Sequence, residues 1–192
     1  MHRDYSCRVT KSVSSCSPAL RLTPARPVQM VELSPEALDA LAAGDLLTAN
    51  LWSPVTLSSY FVGDDCLHVW VRRNAQVRTT PEDIRWIARV IYDQVLGVAV
   101  GRSGFHRGPN DNGLVEVGFS TDPAYRRRGY GQSALVGLLH RAIDEPSVRR
   151  VRAAVRPDNP ASRGLVQKCG FVAVGAQVTA EDGLETVFEV GV

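Results

Sequence analysis

The stretch from Leu114 to Ile143 constrains this chain most. Leu114–Phe119 reads as a strand, and Gly131–Ile143 places Leu135, Leu138, Leu139 and Ala142 on one helical face. Between them lies Thr121-Asp122-Pro123-Ala124-Tyr125-Arg126-Arg127-Arg128-Gly129-Tyr130-Gly131-Gln132. Three arginines and two glycines therefore sit where a strand hands over to a helix. The free N–H groups and positive end of such a helix favour an anion, and glycine lets the backbone come close to it. The arginines add charge-assisted contacts. A flexible loop with solvated arginines is the plain alternative, and it leaves the coincidence of these features unexplained.

Two common anion sites do not fit. Gly129-x-Gly131-x-x-Ala134 formally matches the dinucleotide pattern, but the strand ends near Phe119, ten residues earlier. No acid stands about 20 residues on either, since Asp144 and Glu145 lie at the helix end. A nucleotide-dependent oxidoreductase is thereby a poor reading. A phosphate-binding P-loop is excluded, because no Gly-Lys-Ser/Thr follows.

The rest of the chain predicts a mixed α/β fold in the order β, helices, βββ, α, β, α, ββ. Val28–Leu33 alternates as a strand, and Ser34-Pro35 caps a helix running to about Ala43. Helices are expected over Leu46–Trp52 and about Asp65–Ala75. Strands are expected over Ile84–Ile91 and Val95–Val100, around a Tyr92-Asp93-Gln94 turn, with a glycine-rich loop from Gly101 to Gly113. Val151–Val155 is a strand, Asn159-Pro160 caps a helix ending at Cys169-Gly170, and Phe171–Val178 with Leu184–Val190 form a hairpin. Three consecutive strands followed by βαβ-like crossovers argue against an all-parallel sheet.

Composition narrows the class. The 192 residues suit one domain, and no apolar run approaches the ~20 residues of a transmembrane helix. Lys and Arg number 22 against 20 Asp and Glu, but residues 1–27 hold five bases and one acid. That segment, with five serines, reads as a flexible basic tail. A mitochondrial presequence is the sharper alternative, though no amphipathic helix supports it. The near-neutral body gives little support to a nucleic-acid binder. Cys7, Cys16, Cys66 and Cys169 lie far apart, so neither a disulfide framework nor a structural zinc site is expected, and a reducing cytoplasm is the default.

The arginine–glycine segment resembles the acetyl-CoA loop of the GCN5-related N-acetyltransferases (GNAT), Arg/Gln-x-x-Gly-x-Gly/Ala, here Arg126-x-x-Gly129-x-Gly131. Asn159-Pro160-Ala161-Ser162 and Lys168-Cys169-Gly170-Phe171 resemble a second block, that of the subgroup similar to the ribosomal-protein alanine N-acetyltransferases. The likeness covers about 84–178 and reaches back to residue 28. It implies a single GNAT domain over 28–192, a mixed sheet flanked by helices, and direct acetyl transfer from acetyl-CoA to a primary amine of a small molecule or protein N-terminus. No metal, nucleic-acid or membrane partner is implied. Exposed strand edges would permit a dimer without requiring one. A non-catalytic acyl-CoA-binding regulatory domain of the same fold is the alternative.

By that resemblance, the amides from Arg127 through Arg128, Gly129, Tyr130 and Gly131 to Gln132 would cradle the CoA pyrophosphate, with Arg126 and Arg128 beside it. Phe119, Ser120 and Thr121 would flank the pantetheine arm, one N–H polarising the thioester carbonyl. Asn159 and Ser162 would reach the arm, although Asn159 is equally well a helix cap. Glu116 is a candidate base if the strand buries it, and an outward-facing glutamate if not. Glu181, about ten residues after Gly170-Phe171, is a rival base or a solvated turn residue. His106 either lines the acceptor site or is a solvated loop residue. Many family members carry a tyrosine seven residues after the asparagine, where this chain has Val166; the acid role passes to Ser162 or to water. Cys169 should be buried beside Leu165, which disfavours an acetyl-cysteine route. Trp52, Trp70, Trp86 and Tyr60 are core residues or pocket walls.

Overall fold

The computed structural model describes residues 22–180 and 183–192. Seven strands form one sheet in the order β1-β2-β3-β4-β5-β7-β6. They are β1 (Val28–Glu32), β2 (Arg89–Asp93), β3 (Val98–Phe105), β4 (Leu114–Thr121), β5 (Arg150–Val155), β6 (Val172–Thr179) and β7 (Gly183–Gly191). The helices are α1 (Pro35–Ala42), α2 (Leu46–Trp52), α3 (Asp64–Thr79), α4 (Tyr130–Ile143) and α5 (Pro160–Lys168). Among the described residues β4 and β5 alone pair in parallel, as the βαβ crossover through α4 requires. The expected order of elements and the mixed sheet are both observed.

Local chemistry explains the helix limits. Ser34 Oγ accepts the Ala37 N–H with Pro35 behind it, and Asp45 caps α2 through the Thr48 N–H. Leu38 and Leu41 of α1 and Trp70 of α3 are fully buried, and Trp70 Nε1 donates to the Phe61 carbonyl. Across the sheet, α4 buries Ala134, Leu135, Leu138 and Leu139. Residues 22–27, read from the sequence as the end of a tail, pack instead: Leu22 lies against the core and Arg26 N–H donates to Ser133 Oγ at 2.8 Å. Residues 1–21, with most of the predicted tail, lie outside the described residues.

The β2–β3 hairpin differs from the reading of its sequence. Pro81–Arg85 is a 3-10 turn, and Ala88 is left-handed (φ 53°), so β2 starts only at Arg89. The turn falls at 94–97, because Asp93 Oδ1 accepts the N–H groups of both Val95 and Leu96 and Gly97 takes φ 69°. β3 then runs through the glycines assigned to a loop. At Gly101 a Cβ would lie 2.2 Å from the Ser120 carbonyl oxygen, so this glycine permits strand contact rather than a turn.

That hairpin also contains the irregularity that shapes the site. Ile91 pairs with Gly101 and Tyr92 with Ala99, leaving Val100 as the extra residue of a β-bulge. Val98 and Val100 pack with Tyr130 and Ala134 on the α4 side. Beyond the bulge the alternation is inverted. Arg102, Gly104 and His106 therefore face α3, and Ser103 faces Met30 on the α4 side.

Candidate active site

The β4–α4 connection is built from backbone. Asp122 Oδ1 accepts the Ala124 N–H to start a 3-10 turn over Pro123–Tyr125. Arg127 (φ 61°) and Gly129 (φ 89°) then take left-handed conformations. At Gly129 any Cβ would be strained, and it would meet the Ala25 Cβ at 2.8 Å. No described oxygen accepts from the N–H groups of Arg127, Arg128, Gly129, Tyr130, Gly131 or Gln132. Six successive donors at the positive end of a helix form a cradle for an anion of pyrophosphate size.

The side chains around this cradle are fixed in several directions. Arg126 Nε donates to the Thr121 carbonyl at 3.1 Å, and its Nη2 lies 3.4 Å from Asp65 Oδ2. The Arg128 guanidinium stacks over Tyr125, and its carbonyl accepts from Arg26 Nε. Gln132 bridges Lys168 Nζ (2.9 Å) and the Thr23 carbonyl (3.2 Å). Tyr130 turns inward, donating its hydroxyl to buried Asp93 at 2.6 Å, so only its amide faces the cradle. That hydrogen bond and two backbone N–H groups hold the Asp93 carboxyl below its usual range.

Beside the cradle the sheet opens. β4 and β5 pair only over Leu114–Glu116, and past that point they separate. The Glu116 carbonyl accepts the His106 N–H at 2.7 Å, so by alternation Gly118 and Ser120 also turn their backbone groups to β3. The backbone groups of Val117, Phe119 and Thr121 face the gap instead. Ser120 Oγ accepts from Tyr60 Oη at 3.0 Å, on the α3 side. A cleft of about 860 Å³ fills the splay and brings together Glu116, Phe119, Asn159, Ser162 and Val166 with His106, Arg72, Arg102 and Glu185. Phe119 links the two regions, since a Cβ on Gly131 would lie 3.6 Å from its ring.

Glu116 sits on the α3 face of β4 with its side chain 24% exposed. Burial pushes its carboxyl above the usual carboxylate range, against the opposing pull of Arg152. Its Oε1 lies 3.3 Å from His106 Nδ1. Burial, and then the charges of Arg73, Arg72, Arg102 and Arg107, lower the His106 pKa to about 3. The imidazole is thus held neutral beside the carboxylate, with Nδ1 the ring nitrogen that faces it. His106 is held from behind, its carbonyl accepting from Arg73 Nη1 and Gln76 Nε2, both at 2.9 Å. Gly118 makes room for the ring, since a Cβ there would lie 2.9 Å from Nε2.

The α5 side is simpler. Asn159 Oδ1 accepts the Ser162 N–H at 3.0 Å, which is a helix cap, and both residues line the cleft. Val166 is buried and supplies no proton. Cys66 and Cys169 are buried, and burial raises both thiol pKa values, which disfavours the thiolate. Glu181 lies outside the described residues. Trp70 and Trp86 belong to the core, whereas Trp52 is exposed and does not line the cleft.

Sequence reasoning passed over Glu185, Arg72 and Arg102. Glu185 is buried on β7 and accepts from Gln177 Nε2 at 3.0 Å, while its neighbour Leu184 is exposed. A strand that turns its leucine out and its glutamate in is the signal that could have found it. Arg102 was assigned to a loop, and only the Val100 bulge aims it at the cleft.

Known proteins agree with this architecture. Residues 38–172 match the model of the acetyltransferase (GNAT) domain. The uncharacterized N-acetyltransferase YjdG of Bacillus subtilis is 37% identical over 73 residues, 38% of this chain and 44% of that protein. The ribosomal-protein-serine acetyltransferase of Escherichia coli is 29% identical over 89 residues, 46% of this chain and 48% of its own length. The matched stretches thus span about half the length of these curated relatives. Among solved structures, the microcin C7 self-immunity acetyltransferase MccE, in complex with acetyl-CoA and AMP, superposes with a TM-score of 0.59 at 16% identity. That superposition covers 89% of this chain and 98% of the other. With its matched domain, splayed parallel strands and amide cradle, this chain belongs to the GNAT acetyltransferase family.

Proposed function

We propose that this protein transfers the acetyl group of acetyl-CoA directly to a primary amine. The observation that carries the reading is the juxtaposition of six amides at the start of α4, without a partner among the described residues, with a splayed β4–β5 edge that opens onto a half-buried carboxylate. The amides of Arg127, Arg128, Gly129, Tyr130, Gly131 and Gln132 would hold the pyrophosphate of CoA, with Arg126 and Arg128 adding charge. Phe119 and Thr121 would flank the pantetheine arm in the splay. The Phe119 N–H faces the gap and is the best-placed donor for the thioester oxygen. Asn159 and Ser162 would border the arm from α5.

Glu116 would take a proton from the acceptor ammonium, directly or through water, and its raised pKa suits that task. His106 would act as a positioning residue, its neutral ring standing 3.3 Å from the carboxylate. The amine then attacks the thioester carbon, the C–S bond breaks, and the proton shed by the adduct nitrogen reaches the departing thiolate through water or Ser162. Two buried thiols in their neutral form favour direct transfer over an acetyl-cysteine route.

The test is thiol release from acetyl-CoA across a panel of primary amines, with mass spectrometry of the product. Amine-dependent release and an acetylated amine are expected, both lost in Glu116→Gln. Tight acetyl-CoA binding with no turnover of any amine would favour the non-catalytic acyl-CoA-binding alternative instead.

A further inference from the structure

Resting on the reading of the amide cradle as the acetyl-CoA site, we propose that Arg26 is a positioning residue for the cofactor. Its Nε–H holds the Arg128–Gly129 peptide in the orientation that aims the Gly129 amide into the cradle. Residues 22–27 lie outside the arginine–glycine motif, yet they run directly against it. Ala25 is so close that a Cβ on Gly129 would meet its own at 2.8 Å. The Arg26 N–H donates to Ser133 Oγ at 2.8 Å in the first turn of α4, and the Thr23 carbonyl accepts from Gln132 Nε2 at 3.2 Å.

The Arg26 side chain makes the contact that bears on binding. Its Nε donates to the Arg128 carbonyl at 2.8 Å, and no other donor among the described residues reaches that oxygen. In a trans peptide the C=O of one residue and the N–H of the next point in opposite directions within one plane, and no described peptide is cis. A donor fixed on the Arg128 oxygen therefore turns the Gly129 N–H to the other side, among the open amides of the cradle.

The loop does not make that choice by itself. Gly129 (φ 89°, ψ −1°) has the dihedrals of the third residue of a type II turn. Rotating the Arg128–Gly129 peptide by roughly half a turn gives the type I form, which glycine also tolerates, and it aims the amide the opposite way. No described oxygen accepts from the Gly129 N–H, so the bond from Arg26 is what holds this peptide plane. The guanidinium is itself supported from below. It lies over the Tyr130 ring, 5.2 Å from the centroid, and the Tyr130 hydroxyl donates to buried Asp93.

Three substitutions separate this role from a direct contact between charge and phosphate. Glutamine carries its Nε2 where arginine carries Nε, so Arg26→Gln keeps the donor and removes the charge. Arg26→Lys keeps the charge but places a methylene at that point, and Arg26→Met keeps length alone. Acetyl-CoA affinity is measured by calorimetry on the full chain, with the melt of each free variant as the check on its fold. Arg26→Met and Arg26→Lys should weaken binding roughly five-fold, while Arg26→Gln stays within about two-fold of the wild type. Either of the first two, if folded, suffices for the comparison. With an accepted amine, the loss should appear in KM for acetyl-CoA and not in kcat. Equal affinity throughout, a loss shared by all three variants, or affinity that follows charge (kept in Arg26→Lys, lost in Arg26→Gln) would overturn the positioning role and leave the cradle reading standing. No acetyl-CoA binding by the wild type would sink both together.

Discussion

The two ends of the cleft are made of different material. The cradle at the start of α4 consists of consecutive backbone amides, shaped by Arg127 and Gly129 in left-handed conformations. The acceptor end consists of side chains from α3, β3, β4 and β7, aimed by a bulge at Val100 and a gap at Gly118. A site of backbone can be written in one short run of sequence. A site of side chains depends on pairings between distant strands, and its specificity can change without disturbing the first.

The largest separation of the two ends should come from Glu116→Gln. It should lower kcat by about 10²–10⁴-fold with acetyl-CoA affinity unchanged, read by thiol release and calorimetry. An equal loss of both would mean that the two ends are one unit.

Next is Gly129→Val, the complementary change. The left-handed conformation and the 2.8 Å approach to Ala25 leave no room for a side chain. At a strain of about 1–3 kcal/mol, acetyl-CoA affinity should fall roughly ten- to hundred-fold, with the melting temperature of the free protein as control.

His106→Ala sharpens the comparison within the acceptor end. A polar imidazole 3.3 Å from the Glu116 carboxylate favours its charged form, and the substitution removes it. The acid limb of the kcat–pH profile should therefore move to higher pH, with a fall in kcat of about ten-fold at neutral pH. A purely structural role would lower stability and leave the limb in place.

The smallest effect is on stability. His106 stays neutral in the fold down to about pH 3, while in the unfolded chain it takes a proton near pH 6.5. The unfolded state thus binds more protons between those values, and stability should decline as pH falls from about 6.5 towards 3. A thermal melt series should show this as a fall in melting temperature towards acid pH, reduced in His106→Ala.

The same contrast explains what could be read in advance. Arg126-x-x-Gly129-x-Gly131 and the Asn159-Pro160 cap are local, and they placed α4, α5 and the order of elements correctly. Glu116 stood as either a buried base or an outward-facing glutamate, and its side chain lies half-buried in the cleft. Two features were not legible. Gly101 and Gly104 look like loop residues until their close approach to Ser120 and Ala88 across the sheet is known. A one-residue bulge leaves no mark in hydrophobic periodicity, yet it decides that Arg102 and His106 face α3. The acceptor end was hidden for that reason.

The central claim is that the six amides from Arg127 to Gln132 hold acetyl-CoA. Calorimetric titration of the wild type and of Gly129→Val with acetyl-CoA tests it most directly. A dissociation constant on the order of 10 µM or tighter, weakened at least ten-fold in the variant, is expected. No binding to the wild type, or equal binding to both proteins, would contradict it.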